Sequence, residues 1–177
     1  RNFITGKVYN CRWVLERAVR DYSLRIDTDS IKKKSKILYQ SLEKIRTCKT
    51  SAQLLGLEGE AAAVYFSVFD ELILQQKEDF TFQGRNRRPP LDNVNAMLSF
   101  AYSLLTGMCG SALESVGLDA YVGFFHTDRP GRISLALDIM EELRSIMADR
   151  FVLTMINKRI IKKSHFIQKE SGAVVLT

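Results

Sequence analysis

Cysteine and histidine are both scarce in this chain of 177 residues. The three cysteines, Cys11, Cys48 and Cys109, are widely spaced, and no two of them form a Cys-x-x-Cys pair. Because an odd number of separated cysteines gives no disulfide framework, a reduced, cytoplasmic compartment is the simplest interpretation. No segment is predicted to be a transmembrane helix, none resembles a signal peptide, and there are no internal repeats or low-complexity tracts.

The rest of the composition is that of an ordinary soluble globular domain, with 46% hydrophobic and 26% charged residues. The 26 Lys and Arg residues exceed the 20 Asp and Glu residues, which gives a net charge of +6. This excess fits a polyanion partner such as nucleic acid, although many proteins that bind no polyanion carry as much. Since the chain opens at Arg1 within a helical pattern and stops at Thr177 after a strand-like run, we expect one lobe of a longer protein.

Helical periodicity dominates the chain and predicts six helices. They cover about residues 1–22, 30–47, 52–75, 93–115, 132–150 and 151–162. Phe80 and Phe82 alternate like a short strand, and the Arg- and Pro-rich residues 84–90 cannot continue a helix. Residues 166–168 and 174–176 predict a small hairpin. The expected fold is one mainly α domain over residues 1–177 with a β-hairpin near its C-terminus.

Glu58 lies on a helix face that is otherwise apolar. At helical spacing it shares one stripe with Leu54, Leu55, Ala61, Ala62, Tyr65, Phe69 and Leu72. An ionised carboxylate in such a stripe costs on the order of several kcal/mol unless it is paired or binds a cation. Two interpretations stay open: a cation ligand, or a buried structural partner of an arginine or of a neighbouring helix end.

Further along the chain, a histidine is followed by two acids. His126 comes after the apolar run 123–125, and Asp138 and Glu141 lie about one turn apart on the polar side of the predicted 132–150 helix. An imidazole with converging carboxylates is a hard-cation site able to act on phosphodiesters. The alternatives are a hydrogen-bonded core histidine and a solvated acidic face, and spacing alone does not exclude them.

Four segments match motifs that occur together and in this order in one family. Residues 56–66 match Gly-x-Glu-Gly-x-Ala-Ala-x-x-Tyr-Phe, and residues 90–99 match Pro-x-Asp-x-x-Asn-Ala-x-Leu-Ser. Residues 117–126 and 138–144 match the two remaining signatures. Jointly they are far more specific than any single motif. The chain therefore resembles the CRISPR-associated spacer-acquisition integrase/endonuclease family, with a similarity to the version found in subtype I-C systems.

The resemblance implies a fold and a site. Members of the family have an amino-terminal β-rich domain and a larger helical catalytic domain, so by resemblance this chain is the helical domain, with the β-rich domain absent. The family holds its divalent metal with a Glu, a His and a second acid, which correspond by motif to Glu58, His126 and Glu141. Asp138 matches a further acidic position that assists catalysis. Asn95 and Tyr102 match family positions to which we assign no role.

The resemblance also implies a reaction. In this family the 3′-hydroxyl of a captured DNA fragment attacks a phosphodiester at the edge of a CRISPR repeat, so the expected activity is that of a metal-dependent DNA endonuclease and integrase. The expected cofactor is Mg²⁺ or Mn²⁺, the latter because imidazole suits softer ions. His126 is either a metal ligand or a general acid to the leaving oxygen, and both roles stay open.

The partners implied by the resemblance are double-stranded and branched DNA, a second copy of the full-length chain, and a smaller second CRISPR-associated adaptation protein. The expected location is the prokaryotic cytoplasm, without a membrane. Basic side chains that contact phosphates give affinity without reading sequence. The predicted DNA-binding residues are Arg85, Arg87, Arg88, Arg129, Arg132, Lys162 and Lys163.

Two other functions remain open at this point. One is a non-catalytic helical module that binds nucleic acid or partner proteins and uses its acids in salt bridges. The other is a homologous transposon integrase that shares the same chemistry. Convergence of Glu58, His126 and Glu141 would argue against the first, and genomic context beside a repeat array would settle the second.

Overall fold

The computed structural model describes residues 1–126 and 129–177. Within these residues the protein is mainly helical with one antiparallel hairpin near the C-terminus, which confirms the fold class predicted from the sequence. The helices are α1 Asn2–Tyr22, α2 Thr28–Thr47, α3 Ser51–Phe66, α4 Asn93–Ser115, α5 Ser134–Leu143 and α6 Arg150–Asn157. The strands are β1 Phe166–Gln168 and β2 Val174–Leu176.

Side-chain caps set the starts of three helices. Asp27 accepts hydrogen bonds from two backbone N–H groups in the first turn of α2. Thr50 and Gln53 form a capping box at α3, and Asp92 accepts from Asn95 N at α4. Such caps satisfy backbone donors that have no partner within the helix. Asp27, Thr50 and Asp92 therefore fix where α2, α3 and α4 begin.

α1 organises the packing around the site. It lies along α2 and also contacts α3 and α5, while α5 is packed against α4 as well. The buried face of α1 includes Ile4, Val8 and Leu15, each at most 1% exposed. The carbonyl oxygen of Glu142 accepts a hydrogen bond from Asn10 Nδ2 at 2.8 Å, which fixes α1 against the end of α5. The helices that carry Glu58 and Glu141 therefore face a common neighbour.

The predicted helix over residues 52–75 is too long. α3 ends at Phe66, and a separate 3-10 turn, Phe69–Leu72, follows. Residues 64–68 are β-branched, aromatic or Ser, all weaker helix formers than Ala or Leu, so the chain turns there. The turn buries Phe69 against Phe82, with ring centroids 5.1 Å apart. Phe82 and Phe80 are buried as their alternation suggests, but residues 77–92 form no strand.

The two helices predicted over 132–150 and 151–162 form one helical run. α5 continues into a π-helical segment, Arg144–Asp149, and then into α6, which ends at Asn157 rather than at 162. The run stops because Arg159 adopts a left-handed conformation with φ 56°, and Ile160 N donates back to Met155 O at 2.9 Å. Lys162 and Lys163 consequently lie beyond the helix.

The hairpin and α4 complete the fold. β1 and β2 form the predicted hairpin, in which Ile167 lies opposite Val175, and Val174 N donates to Pro90 O at 2.8 Å in the loop before α4. Contrary to the sequence-based expectation, α4 has the length and hydropathy of a membrane span, the one such helix among the described residues. Core helices of soluble proteins meet the same criterion, and 44% of its apolar window is buried against the rest of the protein.

Candidate active site

Two of the predicted site residues meet at the ammonium group of Lys7 on α1, and a third lies beside one of them. Lys7 Nζ donates a hydrogen bond to Glu58 Oε1 on α3 and lies 2.6 Å from Glu141 Oε2 on α5. His126, in the loop before α5, places its Nε2 atom 3.9 Å from Glu141 Oε1. Two carboxylates and an imidazole are thus brought together from three distant parts of the chain.

Asp138 fixes the orientation of the His126 ring. His126 Nδ1 lies 2.6 Å from Asp138 Oδ1, which also accepts from His126 N at 2.9 Å. Asp138 Oδ2 accepts from Phe124 N and Phe125 N at 2.6 and 2.9 Å. Because an ionised carboxylate only accepts, Nδ1 carries a ring proton, and Nε2 is the ring nitrogen that faces Glu141.

Asp138 is fully buried beneath the loop that it organises. Burial raises the pKa of its carboxyl group, but hydrogen bonds from Phe125 N, from the His126 ring and from neighbouring backbone groups outweigh it and hold the pKa below its usual value. Its oxygens are occupied by these bonds, so Asp138 positions His126 instead of reaching a cation itself. This interpretation refines the assisting role that the resemblance implies.

Glu141 is kept ionised by two cations. Burial raises the pKa of its carboxyl group, but the charges of Arg144 and Lys7 outweigh this effect, and the pKa lies below its usual value. Arg144 Nη2 lies 2.8 Å from Glu141 Oε1, the oxygen that also faces His126. Asp138 and Glu141 are 0% and 4% exposed, so the alternative of a solvated acidic face is wrong.

The side chains of Glu58, Glu141 and His126 are of the types that bind a divalent cation, and the ammonium group of Lys7 lies between the two carboxylates. Carboxylate oxygens are ligands of both Mg²⁺ and Mn²⁺, and the imidazole nitrogen favours the softer Mn²⁺. Glu141 Oε2 is buried, and its contact with Lys7 lacks hydrogen-bond alignment. As the side chains stand, no three Asp, Glu, His or Cys residues within 1–126 and 129–177 are spaced to hold one ion. These residues therefore have the chemistry of metal ligands, but their two carboxylates are bridged by an ammonium group.

The predicted DNA-binding residues differ in their surroundings. Arg85 is half-buried: its Nη1 atom donates to Asn95 Oδ1 at 2.7 Å, and its guanidinium lies 5.3 Å from the centre of the Tyr102 ring. These contacts hold the loop before α4. The more open members of the set are Arg87, Arg88, Arg129, Lys162 and Lys163, which are exposed, and Arg132, which is partly buried. Lys163 pairs with Asp79 at 3.1 Å. Their contact with DNA stays a prediction.

Neither Lys7 nor the residues that support Glu141 were predicted from the sequence. The guanidinium of Arg144 lies 4.7 Å from the centre of the Tyr102 ring, and Tyr102 OH donates to Asp149 Oδ1 at 2.6 Å. Tyr102 thus holds the arginine that neutralises Glu141. Positions 102 and 144 carried a signal, because both fall within matches to family motifs, whereas Asp149 is not marked by composition or by spacing.

Asp149 gives the fold a measurable pH dependence. Burial raises the pKa of its carboxyl group to about 6, although the Tyr102 hydroxyl and the charge of Arg144 act in the opposite direction. The native state therefore binds a proton more tightly than the unfolded state, and the stability from this group is lost as the pH rises from about 4 through about 6. Asp149→Asn should gain roughly 3 kcal/mol relative to the wild type between pH 4 and pH 7. Urea unfolding of both proteins across this range measures the difference, and a constant difference would contradict the prediction.

Comparison with known proteins identifies the family. The family model described as CRISPR associated protein Cas1 matches residues 1–177. The chain belongs to the Cas1 family. A curated relative from Rhodospirillum rubrum, named CRISPR-associated endonuclease Cas1 2, is 49% identical over 181 residues, a match that covers 100% of this chain and 53% of the relative.

Two solved structures share the fold of this Cas1 chain. A casposase bound to integration product matches with a TM-score of 0.80 and 32% identity, over 99% of this chain and 46% of the casposase chain. A partial Cas6-RT-Cas1–Cas2 complex matches with a TM-score of 0.84 and 27% identity, over 99% of this chain and 51% of the other. The family assigned from four sequence motifs is thus confirmed.

This Cas1 chain spans about half the length of the curated relatives that it matches, 51% and 53% for two of them. The activity, substrates and partners of a complete Cas1 protein are therefore matters for proposal. The names of these relatives do not specify a CRISPR subtype, so the assignment to subtype I-C stays a prediction.

Proposed function

We propose that this Cas1 chain is the catalytic part of a divalent-metal-dependent DNA endonuclease and integrase of CRISPR adaptation. The observation that carries the proposal is that Glu58 and Glu141 share one cation, the ammonium group of Lys7, while His126 Nε2 lies 3.9 Å from the other oxygen of Glu141, in a member of this family. Relatives named Cas1 endonucleases support a nuclease activity. A casposase bound to integration product, similar in fold and 32% identical, supports strand transfer.

In this proposal Glu58, Glu141 and His126 Nε2 hold Mg²⁺ or Mn²⁺. When bound, such an ion stabilises negative charge on phosphoryl oxygens and lowers the pKa of an oxygen nucleophile. Asp138 keeps the ring proton on Nδ1, so that the Nε2 lone pair faces the site. Arg144 keeps the Glu141 carboxylate ionised and in place.

The proposed reaction exchanges one phosphodiester bond for another. The 3′-oxygen of the incoming strand forms a bond to phosphorus while the bond from phosphorus to the leaving oxygen of the target strand breaks. The attacking hydroxyl loses a proton and the leaving oxygen gains one. His126 Nε2 either binds the ion or supplies that proton, and the two roles exclude each other within one step.

The proposed partners follow from charge and from the similar structures. The exposed basic residues beside the site and beyond α6 would contact DNA phosphates without reading base sequence. One structure with this fold is named as a Cas1–Cas2 complex, which supports a small second adaptation protein as a partner. A homodimer of the complete protein and a location in the prokaryotic cytoplasm complete the proposal.

Removing the divalent ion tests the metal requirement. A short duplex with free 3′-hydroxyls should be joined to a target duplex by the complete protein in Mn²⁺ or Mg²⁺, and a chelator should abolish product because the developing phosphoryl charge is no longer neutralised. Restoring Mn²⁺ in excess over the chelator should restore the product. Undiminished joining in the chelator would refute the metal mechanism and favour a different catalytic arrangement.

A second candidate keeps the chemistry and changes the target. The fold similarity to a casposase also suits an integrase that does not act at a CRISPR repeat. Target duplexes with and without a repeat, otherwise identical in length and composition, separate the two. Preferential joining at the repeat boundary supports CRISPR adaptation, whereas equal joining at both targets supports the second candidate.

A further inference from the structure

Lys7 lies where a lysine is unexpected. It occupies the buried face of α1 beside Ile4 and Val8, and its side chain is only 8% exposed. Lysines are almost never fully buried unless they are paired, because removing an ammonium group from water costs several kcal/mol. The position of Lys7 therefore requires a specific compensation on the facing helices.

That compensation is the proposed metal-binding pair itself. Lys7 Nζ contacts Glu58 on α3 and Glu141 on α5, so three helices meet at one positive charge. Arg144 also neutralises Glu141, but through the opposite oxygen. Among the described ion pairs, Lys7 is the cation that contacts both carboxylates, and it occupies the space between them.

An ammonium group and a divalent ion cannot occupy this space together. A carboxylate oxygen binds Mg²⁺ at about 2.0–2.1 Å, so an ion held by both acids would lie close to the ammonium group that now bridges the two carboxylates. Two like charges at contact distance would also repel each other strongly in a buried site. The ammonium group must therefore leave before the ion can bind.

We propose that Lys7 is a resident counter-ion that the divalent metal displaces. The inference rests on the proposed function, because it takes Glu58 and Glu141 as metal ligands. Before the ion binds, Lys7 keeps the two carboxylates paired and holds α1, α3 and α5 together. Metal binding is then an exchange of one cation for another. Because Lys7 has moved aside in only a small fraction of the molecules, the apparent metal affinity of the protein is lower than the affinity of that fraction.

The exchange predicts that removing the Lys7 charge strengthens metal binding. Lys7→Met keeps a long unbranched side chain without the charge, and it should lower the Mn²⁺ dissociation constant at least about tenfold. The free Mn²⁺ signal in electron paramagnetic resonance measures this constant in the complete protein. Lys7→Arg keeps the charge and should not tighten binding. Lys33→Met, on the exposed face of α2, removes the same charge far from the site and is the matched control.

A measurement on the wild-type protein keeps the inference testable if Lys7→Met does not fold. Acetylation of the Lys7 amine, followed by mass spectrometry, should be slow without metal and at least several times faster in saturating Mn²⁺. Lys33 should react at the same rate in both conditions. Displacement is refuted if the Lys7 rate is unchanged while Mn²⁺ is bound.

The outcomes separate this inference from the proposed function. If neither the wild type nor Lys7→Met binds Mn²⁺, the metal site itself is wrong. If the wild type binds Mn²⁺ and Lys7→Met binds it equally or more weakly, the metal site stands, and Lys7 is a structural support that the ion does not displace. Only tighter Mn²⁺ binding by Lys7→Met than by the wild type supports both the metal site and the displacement of Lys7.

Discussion

Glu141→Gln should abolish strand transfer by the complete protein while leaving duplex binding nearly unchanged. The substitution keeps the shape of the side chain but removes the negative charge that, in the proposed mechanism, holds the cation. Loss of about 4 kcal/mol of charge stabilisation in the transition state corresponds to a rate about a thousandfold lower. Duplex affinity should change by less than about twofold, because phosphate contacts are spread over many Lys and Arg residues. Single-turnover joining assays and filter binding measure the two effects.

Glu142→Gln is the control for this prediction. It makes the same chemical change one residue along α5, but its side chain lies against Gly6 of α1, and none of the ion pairs among the described residues joins it to Lys7 or His126. Strand transfer should stay within about twofold of the wild type, since an acid outside the cation site does not contribute to charge stabilisation. Equal losses in both variants, or wild-type activity in Glu141→Gln, would remove Glu141 from the active site and favour a non-catalytic helical module.

Helix starts and the family were accessible from the sequence because both depend on local residue patterns. Asp27, Thr50 and Asp92 are small polar residues ahead of apolar periodic runs, and each caps the helix that follows. The π-helical segment Arg144–Asp149 was not accessible in this way. Its apolar and charged residues fit an ordinary helix, and the extra residue per turn is selected by packing against α1 and α4.

The candidate site was accessible only in part. The same reasoning that singles out Glu58, a charge on an apolar stripe, applies equally to Lys7 between Ile4 and Val8, but the basic residues around it hide the signal. Sequence spacing places Asp138 and Glu141 on one side of α5, yet it does not distinguish a solvated face from a buried one. Their burial depends on how α1 and the 120–126 loop cover α5, which is a property of the tertiary fold.

Asp138→Asn should impair strand transfer although Asp138 does not face the cation position. Both carboxylate oxygens accept: Oδ1 from His126 N and from Nδ1–H, and Oδ2 from Phe124 N and Phe125 N. In either orientation of the asparagine amide, its NH₂ group faces N–H groups that also donate. Facing the backbone, it leaves two N–H groups without an acceptor, at a cost of about 1–3 kcal/mol each. Facing His126, it moves the ring proton to Nε2 and removes the lone pair from the site.

For both orientations of the asparagine amide, we expect the rate of strand transfer to fall by about 10–100-fold. A loss that is due to the ring proton should also weaken Mn²⁺ binding at temperatures well below unfolding, whereas a loss of stability alone should recover as the temperature is lowered. The matched control is Asp119→Asn. The Asp119 carboxylate accepts a hydrogen bond from Tyr121 N at 2.8 Å on the exposed side of the same loop. Joining rates, Mn²⁺ affinity and thermal unfolding of the three proteins measure the effect. Wild-type rates in Asp138→Asn would show that the Asp138–His126 pair does not orient a catalytic imidazole, and His126 would then be the core histidine that spacing alone could not exclude.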